Sequence, residues 1–558
     1  MISVLLIWAY MFITMLFGGA ILIALAEKVI GYKTNSILVT LLAGLTMVTV
    51  YAQIFSLFGG VSLLANVICV AILTVIVIMF RRTVVSNLKA AFDNLKSEKM
   101  YLGAALALTI LMAIGTSHGL MHYDTGLYHA QAIHWIEEYG VVKGLGNLHC
   151  RLGYNSAAFP LTAFYSFAFV SGQSFHVASG FCALLLGVEC LGLRKNIANR
   201  KLDTAAFARF MGIYYLLMIY DEMISPASDY YMVTLAFILV IRLLDIFEND
   251  KPDEKAVAML AYLACLILTI KLSGAFLILC ALYPAVVFVR KKEYLKLFAS
   301  ILTGTVIVIP YLCRNVIISG WLLYPSTSFD LFNFDWKIPK ASASYDFKEI
   351  QVYGRGFTDV AGYDDPITVW FGNWFGMQSA LDRLFIAAAI VGTIYFVVKC
   401  FYYGFSLCKR KDVRGLGREM FTEALLVVCF SFWLCTSPLM RYGCLFVYLT
   451  AAVIWGRTLL KLLKNRYALS ALYVCLGLFA IYKVVMFGRE FVLSATTSYL
   501  VVQQDYDNFE TMPYDIGGLT FYAPIEGDRT GYTDFPSSPW VMDIELRGES
   551  YADGFNSK

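Results

Sequence analysis

Charge is scarce in this sequence. Asp, Glu, Lys and Arg make up 15% of its 558 residues, where soluble domains carry about 25%. With 59% hydrophobic residues, 15% aromatic residues and a mean hydropathy of +0.67, the shortage excludes disorder, a coiled coil and a cytosolic enzyme. A soluble fold of this size has no place to hide so much apolar surface. An excess of one sign is missing too. The 44 Lys and Arg against 40 Asp and Glu leave +4, so no nucleic-acid partner is implied. The 13 cysteines contain no CxxC pair, which argues against a disulfide scaffold. Cys69, Cys265, Cys280, Cys429 and Cys475 fall in apolar runs and read as small buried hydrophobes. Cys150, Cys313, Cys435 and Cys444 fall near one membrane face, where a disulfide stays open as a reading. Walker A, GxSxG and HExxH motifs are absent, as are solenoid repeats and low-complexity linkers.

What is present is a series of apolar runs of membrane-crossing length, roughly 20 residues each. Fourteen are found, near 3–25, 36–58, 60–80, 101–117, 174–193, 204–220, 229–248, 256–271, 273–290, 297–313, 379–403, 419–436, 442–460 and 467–486. The first is too long, and too soon followed by a second run, for a cleaved signal. A shorter run, 157–171, is bracketed by polar residues and reads as a juxtamembrane or half-inserted helix. With the N-terminus outside, the inside loops hold 27 Lys and Arg against 15 outside, as the positive-inside tendency requires. Arg81-Arg82, Arg290-Lys291-Lys292 and Lys409-Arg410-Lys411 are the strongest anchors. The sequence thus predicts an all-α polytopic membrane protein of about 14 transmembrane helices. Its outer face carries juxtamembrane helices, loops 118–157 and 314–378, and a small extracytoplasmic segment, 487–558, whose Leu519–Ala523 reads as a strand. Residues 1–100 form an N-terminal three-helix extension, and 101–486 the transmembrane core.

Polar chemistry gathers on that outer face. All six histidines lie between His118 and His176. Asp124 and Thr125 are good N-caps for a helix reaching Tyr139. That helix is amphipathic: Tyr128, Ala132, Trp135 and Ile136 share one side, and Gln131, His134, Glu137 and Glu138 the other. It is expected to lie on the membrane surface, Trp135 at headgroup depth and the polar side in water. Asp124, at the membrane lip beside Tyr123 and Tyr128, has two readings: a plain N-cap, or a partly desolvated base for a hydroxyl. His122, Asp124 and His129 are also candidate ligands for a divalent metal. No other cofactor is implied. Gly140-x3-Gly144-x-Gly146 follows no strand and reads as a turn-rich return towards Arg151 and Asn155. Arg314 and Arg441 break the positive-inside tendency and need partners: a phosphate or diphosphate, or a carboxylate such as Asp124, Asp221 or Asp229. Lys271 could serve the same anion. One acid, facing cations and a surface helix suit a substrate with a charged head and a lipid tail.

These features resemble the GT-C superfamily of polytopic glycosyltransferases, which take a sugar from a polyprenyl-phosphate carrier. The runs Tyr123–His129, Gly144–Ser156, Arg314-Asn315, Ser319-Gly320 with Tyr324-Pro325, Tyr522-Ala523-Pro524 and Gly531-Tyr532 resemble a bacterial family of uncharacterised multi-pass membrane proteins met among cell-envelope polysaccharide genes. The resemblance implies an inverting glycosyltransferase in the bacterial cytoplasmic membrane, working on its extracytoplasmic face. Asp124 would be the base. Arg314, Arg441 and Lys271 would hold the donor phosphate. His122, Tyr123, His129, Arg151, Asn155, Asp229 and Asn315 would line the substrate site. The partners would be a polyprenyl-phosphate sugar, a glycan or lipid-linked acceptor, and membrane lipids. Two features depart from the superfamily: this loop follows the fourth span rather than the first, and Asp124 is followed by Thr125 rather than a second acid. A polymerase or ligase acting on a lipid-diphosphate glycan, and a lipid or glycan transporter, are the alternative expectations. Few charges lie inside the spans, with Arg209, Arg242 and Lys399 towards the cytoplasmic side, and this favours outer-face catalysis over transport.

Overall fold

The computed structural model describes residues 1–199, 202–409, 414–462, 466–493 and 497–556; Arg410 and Lys411 of the third basic cluster lie outside them. All fourteen apolar runs are helical. Among the described residues, eight helices are long and apolar enough to cross a membrane: Ile2–Val29, Ile37–Ser56, Lys99–Ser117, Ser228–Phe247, Leu272–Arg290, Tyr294–Ser319, Ala380–Cys408 and Met440–Leu460. The protein is therefore a helical membrane protein. The first five helices are α1 (Ile2–Val29), α2 (Ile37–Ser56), α3 (Leu63–Met79), α4 (Arg81–Ser97) and α5 (Lys99–Ser117). The chain bends by 97° between α3 and α4, a pair that would make a ninth crossing if counted as one span.

Local sequence sets several helix starts. The Ser36 side chain accepts from Val39 N at the head of α2, and Asp203 accepts from Ala206 N at the head of Thr204–Met218. Both satisfy amides that have no partner inside the helix. Helix Ser228–Phe247 forms the axis of the core, with nearly every residue buried. One apolar cluster extends from Val4 to Phe555, so the first hundred residues and the C-terminal segment pack into the same interior as the rest. The run 157–171 divides in two. Its first helix, Ala158–Phe164, is buried throughout and is held by Ala157 N to Thr269 O at 3.0 Å and Asn66 Nδ2 to Phe164 O at 3.1 Å, whereas Ala168–Ser171 has no buried residue. All thirteen cysteines are free, so the disulfide reading fails. Cys475, expected to be buried, is exposed.

α1 and α2 pack backbone against backbone. A Cβ on Gly44 would lie 1.7 Å from Met15 O, and one on Gly19 would lie 1.8 Å from Thr40 O. The two backbones meet at a separation that only glycine permits, as small residues allow in membrane helix pairs. Gly44→Val should therefore lower stability by about 1–3 kcal/mol through overpacking. Gly103→Ala, on α5 with nothing within 4 Å, should be neutral. Thermal midpoints of the two detergent-purified variants check this, and equal midpoints would contradict the close approach.

Candidate functional site

α5 ends at Ser117, and the chain returns across the end of the bundle before re-entering a helix. Thr125–His129 forms a π-turn that feeds helix Ala130–Glu138. Asp124 stands at its start with helical backbone angles, and its side chain makes no cap hydrogen bond. The N-cap reading fails, and the carboxylate is free to face elsewhere. It faces Arg441, at the head of helix Met440–Leu462. Arg441 Nη2 donates to Asp124 Oδ2 at 2.9 Å, and Arg151 Nη1 lies 3.8 Å from Asp124 Oδ1. Burial alone would raise the Asp124 carboxyl. Arg441, His129, His122 and Arg151 together outweigh burial and hold it below the ordinary carboxylate range, so it is ionised at neutral pH.

His122 completes this corner. Its Nδ1 accepts the Asp124 backbone N–H at 3.0 Å, and Arg441 Nη1 packs against its ring. Burial and the Arg441 charge lower the His122 pKa, which keeps the imidazole neutral and able to accept. A second ion pair lies alongside: Lys271 Nζ is 2.5 Å from Asp229 Oδ1. Tyr442 joins the two pairs, with Lys271 3.9 Å above its ring and Arg441 5.1 Å away. Arg441 and Arg151 keep 28% and 34% of their side chains exposed, so both can be reached from outside. Lys271, in the extended break after helix Glu254–Ile270, and Asp229, in helix Ser228–Phe247, thus form one cluster at one end of the bundle with Asp124 and Arg441, 317 residues apart.

Several expected site residues are placed elsewhere. Arg314 is 2% exposed. Its Nε donates to Asn155 Oδ1 at 3.1 Å and its Nη1 to Ser56 Oγ, so it braces α2 and does not face Asp124. Asn155 is turned inward with it and donates to Tyr311 O at 3.0 Å. Asn315 holds the following turn through Leu322 O at 2.9 Å. Tyr123 points outward, donating to Asp528. His129 is buried beside Thr125 Oγ1 at 3.3 Å, and Thr125 in turn meets Ser225 Oγ at 2.7 Å. Among the described residues, His122, Asp124 and His129 do not gather as a metal group: the Arg441 guanidinium occupies the place beside Asp124 that a cation would take. Tyr442 and Ser225 are not among the expected site residues, although both lie at the outer helix ends where polar residues gather, Tyr442 beside Arg441 and Ser225 near Asp229. Gly140 and Gly144, at φ of 77° and 66°, confirm the turn-rich return.

The amphipathic helix is covered by protein on both sides. Trp135 is fully buried, and the polar side is covered by the C-terminal segment rather than by water. His134 stacks on Tyr532 and Phe535 with ring centroids 4.2 and 3.9 Å apart. Gln131 Nε2 donates to Gly531 O and Asp534 O, each at 3.0 Å. Thr530 N and Gly531 N both donate to Gly126 O at 2.9 Å, two residues beyond Asp124. Strand Leu519–Pro524, paired antiparallel with Thr511–Ile516, anchors this strap. Glu137 is buried beneath it, accepting from Ser174 Oγ at 2.7 Å and Tyr532 OH at 2.5 Å. Burial pushes its carboxyl up to about 7. The folded state therefore holds this proton more tightly than the unfolded chain, and the Glu137 contribution to stability is present below about pH 4.5 and lost as pH rises to 7. Thermal unfolding should show that loss, on the order of 3 kcal/mol, and Glu137→Gln should flatten it. An unchanged pH slope in the variant would contradict the assignment.

No curated protein matches the chain. A family model does match it, over residues 1–448, a stretch that takes in Asp124, Arg151, Asp229, Lys271 and Arg441 and stops short of the strap. The chain belongs to the family described as a domain of unknown function, DUF8201.

Proposed function

We propose that the chain is a membrane glycosyltransferase of GT-C type. It would move a sugar from a polyprenyl-phosphate donor to a hydroxyl of a cell-envelope glycan or lipid-linked acceptor. The observation that carries this reading is the meeting of two ion pairs, Asp124–Arg441 and Asp229–Lys271, around Tyr442 at one end of a membrane bundle. Each pair holds a cation ready for an anionic head and a carboxylate ready to be freed. A phosphate that takes Arg441 and Lys271 leaves Asp124 with a weaker cationic field. Its proton affinity rises as the acceptor hydroxyl arrives. The acceptor oxygen then bonds to the anomeric carbon, and the bond from that carbon to the phosphate oxygen breaks. The lipid phosphate leaves with the electron pair, stabilised by the two cations, while the hydroxyl proton passes to Asp124. Inversion at the anomeric carbon follows from a single in-line step. Arg151, half-exposed beside Asp124, is placed to orient the acceptor. Arg314 has a supporting role here, bracing Asn155 and α2 rather than touching phosphate.

The accompanying topology is fourteen crossings with the N-terminus outside, the site being on the extracytoplasmic face of the bacterial cytoplasmic membrane. The unequal division of Lys and Arg between alternate loops supports it. Among the described residues, several charges elsewhere in the bundle are neutralised in place, which argues against a transport path. Lys399 Nζ is 2.8 Å from Glu423, Arg457 Nη1 is 2.9 Å from Glu423, and Arg209 Nη2 is 3.1 Å from Glu189.

The test is transfer of radiolabelled sugar from polyprenyl phosphate by purified protein. Asp124→Asn should lower the rate by about 10²–10⁴ with donor binding retained. Arg441→Ala should weaken donor binding and, with its charge gone, move the acid limb of the pH–rate profile upward. Near-wild-type turnover in Asp124→Asn would end the base assignment and favour an enzyme acting on a lipid-diphosphate glycan, which uses the same cations without that base.

A further inference from the structure

The bend after α3 sets one helix across the direction of its neighbours. α3 is apolar along its length and faces outward, with Val67, Val75 and Ile78 more than half exposed, so hydrocarbon surrounds it. α4 leaves it at 97° and runs for 17 residues, about 26 Å, before the chain turns back into α5 at Lys99. A helix at a right angle to a span lies along the membrane surface. That surface is at the Lys99 end of α5, remote from the Asp124 loop that follows Ser117.

Four rows run along α4. Val84 and Ala91 are buried against α1, α2 and α5. Next round the helix come Val85, 59% exposed, and Phe92. Then come Arg82, Lys89 and Lys96, all exposed. Spaced seven residues apart, they keep to one line with little drift, about 10 Å between neighbours. The remaining side carries Ser86, Ala90 and Ser97, exposed and uncharged. Protein, apolar, basic and neutral polar is the order in which a helix lying in the interface meets the bundle, acyl chains, phosphates and water. Long basic side chains reach the phosphates from such a position.

The basic row lacks a protein partner. Among the described residues, Arg82, Lys89 and Lys96 form no ion pair. Two acids lie near in sequence. Glu98 is taken by Arg194, and Asp93, exposed at the far edge of the row, forms no ion pair among the described residues. With Arg81, α4 carries four cations against one acid, a net +3.

We propose that α4 is a binding site for anionic phospholipid heads. Arg82, Lys89 and Lys96 would each face a headgroup phosphate, with Val85 and Phe92 against the acyl chains beside them. Three cations in line with one acid at their edge give an anionic head more than a zwitterionic one. A soluble polyanion would meet the same charges but would leave Val85 in water. The site does not depend on the chemistry proposed at Asp124.

The test is native mass spectrometry of the full chain in mild detergent, exposed in turn to phosphatidylglycerol, phosphatidylcholine, glycerol 3-phosphate and an RNA oligonucleotide. Phosphatidylglycerol should be retained about tenfold over phosphatidylcholine, and the two soluble anions should not be retained. Arg82→Gln, Lys89→Gln and Lys96→Gln should each lower phosphatidylglycerol retention about fivefold, equivalent to about 1 kcal/mol for one cation at an anionic surface. Arg290→Gln, at an exposed cation of another basic cluster, should leave it unchanged. Raising NaCl from about 0.05 to about 0.5 M should release the lipid from the unaltered chain, a reading that needs no variant to fold. Equal retention of the two lipids, full retention in the three α4 variants or in high salt, an equal loss in Arg290→Gln, or retention of either soluble anion would overturn the proposal.

Discussion

A carboxylate at the end of a membrane bundle persists as an ion only if something nearby compensates the water it has lost. For Asp124 that compensation is Arg441, at 2.9 Å, with Arg151 and the neutral His122 alongside. The pair ties the loop after α5 to the head of helix Met440–Leu462, which is distant in sequence. Lys271 and Asp229 repeat the arrangement across Tyr442. Neither pair is fully enclosed, and this distinguishes them from Lys399–Glu423, where Glu423 is 1% exposed. Enclosed pairs hold helices together, whereas pairs open to the outside can exchange partners with a charged ligand.

The C-terminal strap makes the loop rigid enough for such an exchange. Gly126 O accepts two amides from the strap, and Arg529 sits 4.7 Å over Tyr123, so the residues on both sides of Asp124 are held by the same segment. Glu137 and His134, beneath the strap, convert the polar side of an amphipathic helix into an interior contact. A segment too small to form a stable core alone folds here because it shares the bundle's core through Phe521 and Phe555, both fully buried.

Much of this was legible in the sequence where local physics decides the outcome. Apolar runs became helices, and Arg441 stood out as a cation that needed a partner and found one in Asp124. The structure departs from the sequence at Arg314 because the apolar run ends at residue 313, whereas the helix continues to Ser319. Arg314 is therefore inside a helix and points at α2. The surface helix failed for a different reason. Amphipathicity shows that two sides differ, but not whether the polar side meets water or another polar surface, and here it meets residues some 400 positions later. The Gly531-Tyr532 motif is visible in the sequence, yet nothing in its spacing reveals that it reaches Gly126 and Glu137.

The central claim is that Asp124 and Arg441 act as one electrostatic unit. A double-mutant cycle on thermal stability, using Asp124→Asn, Arg441→Gln and the double variant, tests it most directly. The account predicts that each single change leaves an uncompensated partner and costs more than its share, with a coupling of about 1–3 kcal/mol between the two. Simple additivity of the single changes would mean that the pair does not hold the site together.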